Sequence, residues 1–159
     1  MHSAVARRRK GLWPESQAEA SVTLDFEARH SQHATLTTDH GEPVLLDLPH
    51  PGVMADGDGL RLGDGRWVLV RAALEPVVEA RHRDPRQLLR LAWHLGNRRV
   101  PAEIWSGTVL RVRPDAAVEE FLVRASAQLT KLEAPFHPEP GAYDHPAHLG
   151  RRHTHDAGP

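Results

Sequence analysis

The hydrophobic positions of this chain change their spacing twice, and the changes divide it into parts. Residues 1–20 hold no sustained period: Arg7, Arg8, Arg9 and Lys10 form a basic run, followed by Pro14 and a small polar stretch. A segment with so little apolar surface to bury is expected to be disordered. From Ser21 a period of two sets in. Val22, Leu24 and Phe26 alternate with Thr23 and Asp25, as in a half-buried strand. Ala34 and Leu36 repeat the alternation, Asp39-His40-Gly41 reads as a turn, and Val44 to Leu48 forms a further strand stopped by Pro49 and Pro51-Gly52. Asp56-Gly57-Asp58-Gly59 is a turn between strands, because an EF-hand would need a glutamate at its twelfth position and helical flanks. Gly63-Asp64-Gly65 leads into the strand Trp67 to Val70. Short strands and frequent turns predict a small β-barrel or sandwich over residues 21–74.

The rhythm then lengthens. Pro76 to Ala80 reads as a strand, and Asp84-Pro85 opens a helix with aspartate as the cap and proline at its first position. Leu88, Leu91, Ala92 and Leu95 form one apolar stripe at helical spacing, and Gly96 is the natural stop. Ala102 to Ser106 and Thr108 to Val112 are two strands hinged at Gly107. Asp115 caps a second helix with Val118, Phe121, Leu122 and Ala125 on its apolar face, and Thr130 to Ala134 is a last strand. The order β-α-β-β-α-β over residues 75–143 is the ferredoxin-like split unit, and the chain as a whole is α+β. From Pro135 the prolines and glycines leave no apolar face to bury, and residues 144–159 are expected to be a disordered, histidine-containing tail.

Composition narrows the chemistry. With no cysteine there are no disulfides, thiolate metal sites, iron–sulfur clusters or cysteine nucleophiles. Twenty lysines and arginines are balanced by twenty-one acids, which argues against a nucleic-acid or anionic-membrane binder. One tyrosine and three phenylalanines also supply too few stacking side chains for an RNA-binding sheet. No apolar run approaches the ~18 residues of a membrane span. Gly11-Leu12-Trp13-Pro14-Glu15 is too short and polar for a signal sequence, so a cytoplasmic location is expected. The motifs of common catalytic loops do not occur, and Glu119 and Glu120 read as a solvated helix face rather than an acid–base pair.

Histidine is the outlier. There are twelve, and His137, His145, His148, His153 and His155 all fall in the last part of the chain. His153-Thr154-His155 puts two imidazoles on one side of an extended chain, and His145 and His148 lie close by in sequence. Neutral imidazole binds nickel, copper and zinc well, and a tail that must order around the ion makes an adaptable, weak site. His94 lies at the edge of the first helix's apolar stripe. It is either a boundary residue packed on the neighbouring element or a ligand. His30, His33, His40, His50 and His82 have no paired spacing and read as surface residues.

Two segments carry a further likeness. Leu91-Ala92-Trp93-His94-Leu95-Gly96-Asn97-Arg98-Arg99-Val100-Pro101 and Glu133-Ala134-Pro135-Phe136-His137-Pro138-Glu139-Pro140-Gly141-Ala142-Tyr143 together resemble the UreE family of urease accessory proteins. The first is similar to that family's Leu-Gly-Asn-Arg-His-x-Pro motif and the second to its Glu-Ala-Pro-Phe-x-Pro-Glu-x-Gly-Ala-Tyr motif. The likeness extends over roughly residues 20–155. It implies a nickel metallochaperone, not an enzyme, with a β domain like a peptide-binding module and a ferredoxin-like second domain. It also implies a homodimer joined through that second domain, partnership with the urease accessory GTPase and apo-urease complex, and a metal ion held between subunits. The family ligand is the histidine closing Gly-Asn-Arg-His; here that position is Arg99, whose protonated guanidinium has no lone pair to offer. The metal residues implied for this chain are therefore His94, His145, His148, His153 and His155, for Ni(II) and also Zn(II) or Cu(II). Asn97, Arg98 and Arg99 become interface residues. The alternative is an assembly scaffold with no metal at its core.

Overall fold

The structure, a computed structural model, describes residues 2–49 and 52–140. Its elements run β1 (His2–Arg8), β2 (Ala18–Leu24), α1 (Phe26–Arg29), β3 (His33–Thr37), β4 (Pro43–Asp47), β5 (Gly59–Leu62), β6 (Trp67–Ala72), β7 (Glu75–Arg81), α2 (Pro85–Asn97), β8 (Ala102–Ser106), β9 (Val109–Val112), α3 (Ala116–Arg124) and β10 (Gln128–Ala134). A short 3-10 turn covers Glu15–Gln17.

The first six strands form one sheet in the order β2-β6-β5-β1-β4-β3. Although β2 and β3 are its outer strands, Asp39, just past β3, bonds back to β2. Its N–H donates to Ser21 O at 2.8 Å, and its carboxylate accepts from Thr23 N and from the hydroxyls of Ser21 and Thr23. The sheet is thus curled until its edges meet, around a core that includes Val22, Leu46, Met54, Leu60 and Val70.

Two expectations for this region are corrected. His2–Arg8, read as disordered, is β1, paired parallel to β4 and antiparallel to β5 in the middle of the sheet. Only Ala4 of its side chains is fully buried, so no hydrophobic alternation announces it. Trp13 is buried as well, donating from Nε1 to Gly57 O. The alternation through Phe26 also does not continue as a strand. Asp25 instead caps α1, its side chain accepting from Ala28 N at 2.8 Å, while Glu75 Oε2 accepts the N–H of Phe26 at 2.7 Å.

The second sheet has the order β10-β7-β9-β8, antiparallel throughout. With α2 and α3 between its strands this is the ferredoxin-like arrangement. Asp84 caps α2 by accepting from Arg86 N, and Asp115 caps α3 by accepting from Val118 N. Leu88, Leu91, Leu95 and Leu122 from the helices meet Val78, Ala80, Leu110 and Val112 from the sheet in one core. No helix among the described residues is long and apolar enough to cross a membrane.

Order does not end at Pro135. Phe136 is fully buried and, with Phe26, Val77 and Ala134, forms a third small core between the two sheets. The Phe136 ring anchors a proline-rich segment that has no periodic pattern to reveal it.

Candidate functional site

The first of the two motifs singled out in the sequence falls at the C-terminal end of α2. Leu88, Leu91 and Leu95 turn inward, which places Leu89 and Trp93, one turn apart, on the outer face at 70% and 65% exposure. His94 and Arg98 are likewise one turn apart, and both reach α3. The Arg98 guanidinium lies 4.1 Å over the Phe121 ring, and the His94 ring meets the same phenylalanine edge-on at 5.9 Å. His94 is nevertheless exposed, and neither ring nitrogen has a hydrogen-bond partner among the described residues. The His94 ring thus packs at the boundary between α2 and α3 while remaining exposed.

The helix stop differs from the one read in the sequence. Gly96 lies inside α2, which runs on to Asn97 with Arg98 as its cap. Arg99 takes the left-handed conformation, φ 56°. Its N–H donates to Gly96 O at 3.0 Å and that of Val100 to Leu95 O at 3.0 Å, the paired bonds of a Schellman stop. Val100 also packs on the core that contains Leu95, completing the motif's apolar contact. The same stop ends α3, where Ser126 has φ 63°, its N–H donates to Val123 O, and that of Ala127 donates to Leu122 O.

Asn97, Arg98 and Arg99 are all exposed at this corner, and neither arginine has an ion-pair partner among the described residues. The corner therefore offers one imidazole, one carboxamide and two fixed positive charges. Chemically, that set suits an anion or a carboxylate-bearing surface. No group of three histidine, aspartate or glutamate side chains placed to hold an ion occurs among the described residues. His145, His148, His153 and His155 lie outside the described residues.

Three of the other histidines pair locally. His33 Nδ1 is 3.1 Å from Asp47 across the β3–β4 ladder, His30 Nδ1 is 2.6 Å from Phe26 O, and His82 Nδ1 accepts from Asp84 N. Glu119 pairs with Lys131 and Glu120 with Arg124, consistent with a solvated face. Sequence reasoning missed Trp93 as part of the corner, although the inward stripe Leu88, Leu91, Leu95 already implies that Leu89 and Trp93 face out. It also missed the route of residues 135–140. The N–H of Glu139 donates to Ala102 O at 2.8 Å, so this segment leaves β10 at one edge of the sheet and arrives at β8, the opposite edge. Glu139 therefore stands beside the strand that follows Arg99.

Comparison with known proteins gives one answer for both halves. The model of the UreE urease accessory protein N-terminal domain matches residues 2–73, and that of the C-terminal domain matches residues 75–158. The urease accessory protein UreE of Bradyrhizobium sp. strain BTAi1 is 44% identical over 144 residues, covering 91% of this chain and 69% of that protein. That of Bradyrhizobium sp. strain ORS 278 is 46% identical over 136 residues, covering 86% of this chain and 64% of that protein. The Chelativorans sp. strain BNC1 protein is 45% identical over 140 residues, with 86% and 88% covered. The chain thus spans about two thirds of the length of the Bradyrhizobium relatives.

Proposed function

The chain belongs to the UreE urease accessory protein family, and from that premise we propose that it is a chaperone of urease maturation that carries Ni(II) to the metallocentre. The family is one of accessory proteins, and the chain is not an enzyme. In this reading His145, His148, His153 and His155 collect the ion, and His94 of the folded domain joins them. Zn(II) and Cu(II) suit the same ligands. The observation that supports the reading is His94 itself. Its imidazole is exposed at the end of α2, neither ring nitrogen has a hydrogen-bond partner among the described residues, and Glu139 of the crossing segment bonds to Ala102, where the strand just beyond that corner begins.

The proposed assembly is a cytoplasmic homodimer joined through the second domain, which docks the urease accessory GTPase and apo-urease. Exposed Trp93, beside exposed Leu89 on the outer face of α2, supports an interface there, since tryptophan is among the usual anchors of protein contacts. Nickel titration by calorimetry on the full chain and on a form ending at Tyr143 tests the assignment. Loss of most binding on truncation supports the tail, and residual binding removed by His94→Ala assigns the remainder to the corner. Unchanged affinity and stoichiometry without the tail would sink it.

A second reading is favoured by one residue. Arg99 occupies the position of the family ligand and cannot bind a metal. If the core holds no ion, the chain is a scaffold that docks the GTPase and apo-urease through its folded domains, with Asn97, Arg98 and Arg99 contacting the partner. Full-length protein that binds the assembly complex equally with and without nickel would support the scaffold.

A further inference from the structure

Between its two sheets the protein buries a cation without a carboxylate. Arg29, at the end of α1, is 1% exposed, and no acidic side chain lies within ion-pair distance of it among the described residues. Its guanidinium is held by main chain instead. Nη1 donates to Met54 O at 3.4 Å, Nη2 donates to Phe136 O, and Nε has no partner. Nη1 also stands 3.3 Å from Nδ1 of His137. A guanidinium has hydrogens to give and no lone pair, so Nδ1 must be the acceptor. The imidazole is therefore neutral, with its proton on Nε2.

The backbone of His137 is fixed as well, its main-chain N–H donating to Oε2 of buried Glu103 at 3.3 Å. The charges that act on its ring come from Arg29 of α1, Glu103 of β8, Asp56 of the turn before β5 and Arg111 of β9. Burial first, and the Arg29 charge second, hold the imidazole below its usual range, while Glu103 and Asp56 pull the other way. A proton added at Nδ1 would set N–H against N–H, with two cations at 3.3 Å. His137 lies within the segment that crosses from β10 to β8, one residue past the buried Phe136 anchor.

We propose that the Arg29–His137 contact is a proton-operated catch on the seam between the two sheets: neutral His137 closes the crossing segment onto α1, and protonated His137 releases it. This inference does not rest on metal binding. The open segment exposes an ordinary imidazole near 6.5, and the open form binds a proton more readily than the closed one. Closure is therefore fully favoured above about pH 6.5 and is lost progressively as the pH falls through that value toward the lower one of the closed form. One unit below, the opening constant rises by at most about tenfold, the limit set by the open imidazole.

Two measurements on the full chain test this. The proton NMR titration of the His137 ring should place its midpoint below that of a free imidazole. Amide exchange of residues 136–139, corrected for the intrinsic effect of pH, should show opening that rises several-fold between pH 7.5 and 5.5. His137→Gln, whose carbonyl still accepts from Arg29 but does not titrate, should flatten that profile. A ring that titrates at or above 6.5 overturns the catch, and so does a glutamine variant that opens with acid as the unmodified chain does. The titration uses unmodified protein and decides the matter even if the variant does not fold.

Discussion

The amide of Arg99 donates to the carbonyl of Gly96 at 3.0 Å while Arg99 itself sits at φ 56°. A residue with a Cβ is held where glycine is the comfortable occupant, and the one glycine nearby is spent three residues earlier inside the helix. Arg99→Gly should therefore stabilise the protein by about 0.5–1 kcal/mol, the relief of left-handed strain less the added entropy of the unfolded chain. Urea unfolding should show a higher midpoint at an unchanged slope. A lower midpoint would mean that the arginine side chain makes a contact that outweighs its backbone strain.

Arg99→His tests the two functional readings at the same position. Histidine tolerates the left-handed conformation better than most residues, so the turn should persist. On the metallochaperone reading, calorimetry of the tail-less form should gain a nickel site with one ion per two chains, and His94→Ala should weaken it if both imidazoles contribute. No gain at all favours the scaffold or a dimer that does not bring the two corners together.

Much of the second domain was legible in the sequence because its signals are local. Asp84-Pro85 and Asp115 cap helices by bonds two or three residues long, and the stripe Leu88, Leu91, Leu95 fixes which face is buried. The fold's N-terminal strand was not legible: β1 buries only Ala4, and its place is set by pairing with β4 and β5, some forty to sixty residues away. The seam is hidden for the same reason. Phe26 looks like the end of a strand until Glu75 and Phe136 are placed beside it. The candidate site divides similarly. Its residues were named from the likeness of two motifs, but the reach of His94 and Arg98 to Phe121 depends on how α2 and α3 pack.

Gly59 is a place where packing, not conformation, demands glycine. A Cβ there would lie 2.3 Å from the Trp13 ring, which is fixed by its bond to Gly57 O and by Trp67 at 5.2 Å. Gly59→Ala should destabilise the first sheet by about 1–3 kcal/mol, as overpacking of a rigid neighbour does. Chemical unfolding measures the loss, and a changed tryptophan spectrum in the near ultraviolet would locate it at the 13–67 pair.

Asp39 closes the curled sheet, and its dependence on pH has a definite sign. The Ser21 hydroxyl first, then the hydroxyl and amide of Thr23, hold its carboxylate below the ordinary 3.8. A carboxylate depressed in the folded state contributes stability that is present above 3.8 and lost as the pH falls through the lower folded value. Asp39→Asn should therefore be less stable than the unmodified protein at pH 6, with the gap narrowing below pH 4. Thermal unfolding across that range checks it; a gap that stays constant in acid would assign the effect to geometry rather than charge.

Phe136 joins the two sheets through a single ring. It is fully buried, meets Phe26 edge-to-face with centroids 5.3 Å apart, and covers Val77 and Ala134. Phe136→Ala opens a cavity in a core too small to collapse around it, so the cost should fall at about 3–5 kcal/mol. Phe26→Ala removes the other half of the contact and should cost a comparable amount. Because each ring then faces a void, the double variant should lose less than the two added together, by about 0.5–1.5 kcal/mol for an aromatic pair. A urea-unfolding cycle over the four proteins measures that difference. Strict additivity would show that each ring acts on its own sheet, and that the bonds of the Arg29 side chain to Phe136 O and of Phe26 N–H to the Glu75 carboxylate, not the aromatic contact, hold the two halves together.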